Sequence, residues 1–508
     1  MSLNYNFIWL LCYLLVLVGL AGYGFHRLSI VYLYWKNRNN KPQPKARFQE
    51  LPVVTVQLPM FNEKFVVDRL LESVAALDYP QDRLEIQILD DSTDDTTEQC
   101  CRKVEELKSR GFDAVCIHRT DRTGFKAGAL EAANKTAKGE FLLILDADFV
   151  PEPDLLQKTI HFFTDENVGL VQTRWGHINR EYNLLTRIQG MYLDGHFAME
   201  QTARNRSGRF FTFNGTAGIW RKCVIGDAGG WSHDTLTEDM DLSYRVQLKG
   251  WRFIYLNDVV TPAELPVDMD GFKSQQHRWT KGSIQVCQKI LLDIWRSNAP
   301  LKAKVEATTH LTCNYSYLLL ALLCFLVYPI CTQRIPENET VFMWFVNVAL
   351  FFMTSVAVCI FYMSAQIVVR PKSWWKELPY LPLLLTLSVG MAVNNAKAVL
   401  EAIFGHQSAF VRTPKYGVDR KEDRRHVSQL KRNGYRAIKS VVIPVLEIAC
   451  GTFFLNLIII MIRQGHYLSP ILMIPFLGFY YTGFCSLGRM ISNLSLIHIS
   501  EPTRRRGI

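Results

Sequence analysis

The chain has 508 residues, 49% hydrophobic and 20% charged, with 57 Lys and Arg against 47 Asp and Glu for a net charge of +10. Aromatic residues reach 12% and no long polar tract occurs, which excludes a disordered chain. The 12 cysteines show no Cys-x-x-Cys pair and no metal-ligand spacing; they read as small buried apolar residues, not as a disulfide scaffold.

Residues 7–25 form one uncharged apolar run, long enough to cross a bilayer. It lacks a basic stretch before it and a small-residue cleavage site after it. An uncleaved transmembrane helix is therefore expected rather than a signal peptide. The following segment holds Arg27, Lys36, Arg38, Lys41, Lys45 and Arg47 and no acid up to residue 47. Positive charge beside an apolar span marks the cytoplasmic side. Its position against a span disfavours a nucleic-acid patch, so the lipid bilayer is expected as a partner and nucleic acid is not.

From residue 52 to about 300, strand and helix patterns alternate. Val53–Leu58, Leu84–Leu89, Ala114–His118 and Phe141–Leu145 read as strands, with helical patterns at 64–77, 94–110 and 126–138 between them. This rhythm predicts a Rossmann-like α/β domain with a mostly parallel, doubly wound sheet. Ligands of such sheets bind beyond the carboxyl ends of the strands, which makes acids at strand ends informative. The second strand runs into Asp90-Asp91, and the fourth into Asp146-Ala147-Asp148. Carboxylates there can face a nucleotide and a divalent cation that bridges a diphosphate. Taken alone, the same residues also suit an N-cap and a polar turn. Thr237-Glu238-Asp239 alone suits a capped helix start. Gln275-Gln276-His277-Arg278-Trp279 alone suits an amphipathic helix beside the membrane, although Arg278 can pair with a diphosphate and Trp279 can stack on a sugar. His196 and His233 read as structural or surface residues.

Apolar stretches follow at about 309–331, 341–366, 379–403, 440–463 and 467–490. Residues 405–440 hold ten Lys and Arg against three acids, so this segment is also expected to be cytoplasmic. Parity then leaves no simple crossing for 379–403, which carries Asn394, Asn395, Lys397 and Glu401. An interfacial or re-entrant helix is expected there, giving five crossings in all. The expected division is a transmembrane helix in 1–35, a basic linker at 36–51 and a cytoplasmic domain at 52–300. Two transmembrane helices follow at 301–366, then an interfacial helix and a loop segment at 367–439. Two further spans are expected at 440–490, before a tail at 491–508.

The acid clusters in this order, together with blocks such as QLPMFNE (57–63), GFKAGAL (124–130), FNGTAGIWR (213–221) and EDMDLSYRVQLKGWRFIYL (238–256), resemble the processive family 2 glycosyltransferases of the cellulose synthase superfamily. The likeness covers roughly residues 50–420 and looks closest to the cellulose synthase-like A and C groups, which make mannan, glucomannan or glucan, and to their bacterial relatives. It implies a glycosyltransferase A-type domain joined to an α-helical transmembrane bundle. It also implies an inverting hexosyltransferase that polymerises and exports a β-linked, expected β-1,4, glucan, mannan or glucomannan. UDP-glucose or GDP-mannose would be the donor, a growing polysaccharide the acceptor, and Mg²⁺ or Mn²⁺ the cofactor.

By the same resemblance, Asp90, with Asp91 beside it, would bind the nucleoside, and Asp146 the nucleotide. Asp148 would hold the metal and Lys126 approach the diphosphate. Asp239, with Glu238 beside it, would supply the catalytic base. Gln275, Arg278 and Trp279 would hold the diphosphate and the acceptor end. Phe410, Thr413 and Lys415 match a gating loop, with Arg412 standing where the family has Val. The expected setting is a multi-pass plasma (inner) membrane, or the Golgi membrane of a eukaryote, and homo-oligomers are compatible with it. Two rivals stay open: a membrane glycosyltransferase with a lipid acceptor, and an exporter or receptor built on an inactive transferase domain.

Overall fold

The structure, a computed structural model, describes residues 5–332, 349–350, 352–406, 412–419, 441–464 and 472–500. Seven strands form one sheet: β1 (Val54–Met60), β2 (Leu84–Asp90), β3 (Asp113–His118), β4 (Phe141–Ile144), β5 (Val168–His177), β6 (Gly218–Arg221) and β7 (Arg252–Ala263). Their order is β3-β2-β1-β4-β6-β5-β7. β1 pairs in parallel with β2 and β4, β2 with β3, and β5 with β7; β6 runs antiparallel between β4 and β5. This is the mostly parallel sheet expected, with one reversed strand. The chain builds outward from β1 to β3 and then returns to the other side of β1. The crevice beside β1 is thus the topological switch point, where such sheets bind ligands.

A long helix, α1 (Tyr5–Asn37), precedes the sheet, and three helices alternate with the first four strands: α2 (Val67–Ala75), α3 (Thr96–Ser109) and α4 (Phe125–Asn134). One face of the sheet buries Val54, Val56, Leu58, Ile86, Ile88 and Leu143 against α2 and α3. On the opposite face, Leu142, Ile144 and Leu170 meet Ala127, Leu130 and Ala133 of α4. The alternation of β1 and β2 suggests a solvated second face, yet Thr55, Gln57, Glu85 and Gln87 are all buried. They satisfy one another instead: Thr55 Oγ1 donates to Glu85 Oε2 at 2.6 Å and Gln57 Nε2 to Gln87 Oε1 at 3.1 Å. Buried polar groups persist where they find partners.

The remaining longer helices are α5 (Leu184–Asp194), α6 (Glu238–Leu248), α7 (Met269–Arg296), α8 (Leu301–Thr312), α9 (Tyr315–Thr332), α10 (Ala357–Val369), α11 (Leu381–Gly390), α12 (Ala392–Ile403), α13 (Val442–Arg463) and α14 (Met473–Ser500). Among the described residues, Ile8–Asn37 and Val442–Arg463 are long and apolar enough to cross a membrane. Two bent pairs raise that to four if each is one span: α8 with Tyr315–Tyr328 at 53°, and Trp374–Gly390 with α12 at 41°. The expected span at 341–366 is described only in part, and Phe410 and residues 420–440 of the basic 405–440 stretch lie outside the described residues.

Polar clamps tie the sheet domain to the apolar helices. Arg180 bonds Asp194 on α5 at 2.5 Å and Gln366 on α10 at 2.8 Å. Arg187 makes a two-pronged contact with Glu377 at 3.3 and 3.0 Å. On α7, buried Lys273 donates to Glu447 of α13 at 2.5 Å, and to the Thr482 carbonyl and Ser486 hydroxyl of α14 at 3.0 Å each. One and two turns on, His277 and Lys281 both reach Glu401 of α12, at 3.2 and 3.1 Å.

Candidate active site

The strand registers bring the site together. Met60 lies opposite Asp90, so Phe61 and Asp91 leave β1 and β2 side by side. β4 ends next to β1 and delivers Asp146 and Asp148 to the same edge. One cleft here is lined by Asp91, Lys126, Asp146, Asp148, Glu238, Asp239, Gln275, Arg278 and Trp279, and also by Thr413 and Lys415.

Asp91 is held by a bidentate pair from Arg119, at 2.8 and 2.6 Å. Asp90 does not line the cleft. It is fully buried and accepts hydrogen bonds from Ser92 N–H at 3.0 Å, Thr97 Oγ1 at 2.7 Å and His118 Nδ1 at 2.7 Å. Burial pushes its carboxyl up, but these three donors outweigh that and hold its pKa below the usual value. Asp90 thus shapes the strand-end loop, and Asp91 faces the space a ligand would fill.

Lys126, in the first turn of α4, donates to Asp146 Oδ1 at 2.5 Å and to the Gly215 carbonyl at 2.8 Å. Asp146 N–H donates to Thr216 Oγ1 at 2.8 Å. Burial raises Asp146, yet Lys126 and then Lys415 hold it below its usual range. Lys415 forms an ion pair with Asp148, while Arg412 bonds the Phe61 and Asn62 carbonyls and sits 3.2 Å from Glu63. Buried Glu63 is pushed up to about 7 by desolvation, against the pull of Lys415 and Arg412. Asp146 and Asp148 are hard oxygen donors beside a cleft, and Asp148 already accepts a cationic ammonium. That donor set fits a divalent ion completed by diphosphate oxygens, since such ions take one or two carboxylates plus phosphates. Among the described residues, no group of three or more His, Cys, Asp or Glu forms a metal cage by itself.

Asp239 opens α6. Burial first, and the neighbouring Glu238 second, push its carboxyl up to about 7. The backbone around it is cut to fit. Gly215 has φ +81°, and a Cβ there would lie 3.1 Å from Asp239 Oδ2 and 3.5 Å from Lys126 Nζ. A Cβ at Gly282 of α7 would lie 2.5 Å from Thr237 Cγ2, so the loop bearing Glu238 and Asp239 packs directly on the helix bearing Trp279. The Asp268 side chain caps α7 by accepting from Gly271 N–H at 2.9 Å. Gln275, Arg278 and Trp279 share its cleft-facing side, as helical spacing requires.

A second cavity shares Asp239, Trp279, Trp175 and Asn214 with the first and continues among Tyr192, Phe197, Tyr362 and Arg27 of the membrane-proximal elements. Trp175 stacks on Phe197 at 4.6 Å between ring centroids. His196 lies here, bonded to Glu200 and Asn214 at 3.0 Å each, and His233 lines the first cleft. The expected site residues thus converge, except Asp90, which is buried beside the cleft, and Phe410, which lies outside the described residues. Sequence reasoning gave no role to Glu63 and Arg122, which line the cleft from strand-end loops; their blocks, QLPMFNE and the stretch before GFKAGAL, were the available signal.

Residues 52–282 match a family described as "Glycosyltransferase like family 2". Glucomannan 4-beta-mannosyltransferase 2 of Arabidopsis thaliana is 42% identical over 286 residues, covering 53% of this chain and 53% of that protein. Glucomannan 4-beta-mannosyltransferase 1 of Oryza sativa subsp. japonica is 41% identical over 277 residues, covering 54% and 53%. This chain therefore spans about half the length of these curated relatives. The structure of the mannosyltransferase PcManGT from Pyrobaculum calidifontis, in complex with GDP-Man and Mn²⁺, aligns with a TM-score of 0.55 at 20% identity. That alignment covers 78% of this chain and 100% of the other, and the likeness is one of fold. The match and the relatives bear out the resemblance read from the motifs.

Proposed function

We propose that this chain, whose residues 52–282 are a family 2 glycosyltransferase domain, is a membrane-embedded hexosyltransferase that extends a β-linked mannan or glucomannan from GDP-mannose. The observation that carries the reading is the convergence of Asp91, Lys126, Asp146, Asp148, Asp239, Arg278 and Trp279 on one cleft. The two curated relatives are glucomannan mannosyltransferases, and this favours a mannosyl donor over the UDP-glucose alternative.

The bond to break joins an anomeric carbon to a nucleoside diphosphate. Lys126 and Arg278 lie where they can offset charge on that leaving group. Asp146 and Asp148 would hold Mg²⁺ or Mn²⁺, which when bound supplies further charge neutralisation on the diphosphate. Asp239 removes the proton from the attacking sugar hydroxyl, and its carboxyl near 7 suits a base at neutral pH. A single in-line displacement inverts the anomeric centre, so an α-linked donor yields a β-linked product.

Trp279 belongs to both cavities and offers a flat ring to the acceptor sugar at their junction. The second cavity's aromatic walls support an acceptor longer than one residue. Its approach to helices that can cross a bilayer supports export of the growing chain. The test is purified protein incubated with GDP-mannose, UDP-glucose and other nucleotide sugars with Mn²⁺ or Mg²⁺. Nucleoside diphosphate release is expected with GDP-mannose; turnover confined to another donor would overturn the donor assignment.

A further inference from the structure

Most cations lining the donor cleft face an acid. Lys126 bonds Asp146, Lys415 bonds Asp148, Arg412 meets Glu63, and Arg278 lies in the field of Glu238, Asp146 and Asp239. Arg122 is different. Among the described residues it has no hydrogen-bond acceptor and no carboxylate in ion-pair contact. Its Nε is buried without a partner. Its guanidinium carbon instead lies over two rings, 3.4 Å from the centroid of Phe61 and 5.4 Å from that of Phe125. A half-buried guanidinium keeps a desolvation cost until its N–H groups find acceptors. A cation–π contact holds the group in place without satisfying those donors.

The place of Arg122 indicates what the acceptors are. Phe61 follows β1, Asp91 follows β2, and the Asp146–Asp148 pair follows β4 on the far side of β1. Strands lie about 4.8 Å apart, so the two acidic ends are roughly 10 Å from each other. A nucleotide sugar that puts its diphosphate at β4 therefore puts its base toward β1 and β2, beside Phe61, Asp91 and Arg122.

We infer that Arg122 reads the donor's nucleobase and selects guanine, with Asp91 as its complement. Guanine carries two adjacent acceptors, O6 and N7, which match the fork of an arginine. It also carries N1–H and N2–H donors that a carboxylate can accept. Asp91 is fixed for this by Arg119. Burial lowers the Arg122 guanidinium's pKa, and the nearby Asp91 carboxylate opposes that shift. Uracil has no adjacent pair of acceptors on one edge. The inference rests on the GDP-sugar reading above and goes further in naming the side chain that makes the choice.

The test is calorimetric binding of GDP and of UDP, each with Mn²⁺, to the full chain in detergent. Wild type is compared with Arg122→Met and Arg122→Lys after matching unfolding midpoints. Wild type is expected to prefer GDP. Arg122→Met is expected to lose about 10- to 100-fold in GDP affinity with UDP affinity within about threefold, and KM for GDP-mannose is expected to rise more than kcat falls. Arg122→Lys keeps the charge without the fork and is expected to lose the preference too. An unchanged GDP-to-UDP ratio in Arg122→Met overturns the inference, as does an equal loss of both ligands, which would make Arg122 a phosphate contact. Retained preference in Arg122→Lys also overturns it. If wild type turns over GDP-mannose while Arg122→Met stays selective, only this inference falls. A wild type that prefers UDP removes the donor reading along with it.

Discussion

Two aspartates one residue apart behave differently. Asp90 spends its oxygens on Ser92, Thr97 and His118, whereas Asp91 keeps its place on the cleft through Arg119. Sequence shows both acids at a strand end but not which one turns inward, because that depends on a histidine 28 residues away on the next strand. Asp239 was legible as a candidate from its neighbours in the chain. Its tuning was not, since burial and the Gly215 approach come from distant segments. Asp239→Asn is expected to lower kcat by about 10²- to 10⁴-fold while nucleotide binding survives; near-normal turnover would remove Asp239 as the base. A base must be deprotonated to act. With its carboxyl pushed up to about 7, kcat/KM for wild type should climb about tenfold per pH unit below that value and flatten above it. A flat acid limb between pH 5 and 7 would contradict the assignment.

Among the elements, α7 carries the most. One side presents Gln275, Arg278 and Trp279 to the cleft, and the other presents Lys273, His277 and Lys281 to α12, α13 and α14. Its amphipathic character was readable from spacing. The partners were not, because Glu447 lies 174 residues away and Glu401 120 residues from Lys281. An ion pair this buried holds position through the penalty for leaving either charge alone. Lys273→Met should therefore destabilise by about 3–5 kcal/mol, and Lys273→Met with Glu447→Met by much less. Unfolding transitions of the single and double variants in detergent measure this. Equal losses in both would contradict a penalty from the carboxylate that Lys273→Met leaves unpaired.

Over the whole molecule, a charged α/β domain is joined to apolar helices by side-chain clamps. The strand and helix rhythm of residues 52–145 and the acids at strand ends were legible, because local periodicity and the switch-point rule determine them. The antiparallel β6 and the buried Thr55–Glu85 and Gln57–Gln87 pairs were not, because nothing local distinguishes a polar face that meets water from one that meets another strand. The cavity that passes from Asp239 and Trp279 toward Tyr192 and Tyr362 makes sense of this joining. In the proposed function, synthesis would take place on the charged side and the acceptor would lead toward the apolar one. The product made from radiolabelled GDP-mannose by the purified full chain tests this most directly. The expected result is an insoluble labelled polymer that a β-1,4-mannan hydrolase degrades; label confined to chloroform-soluble lipid, with no polymer, would contradict it.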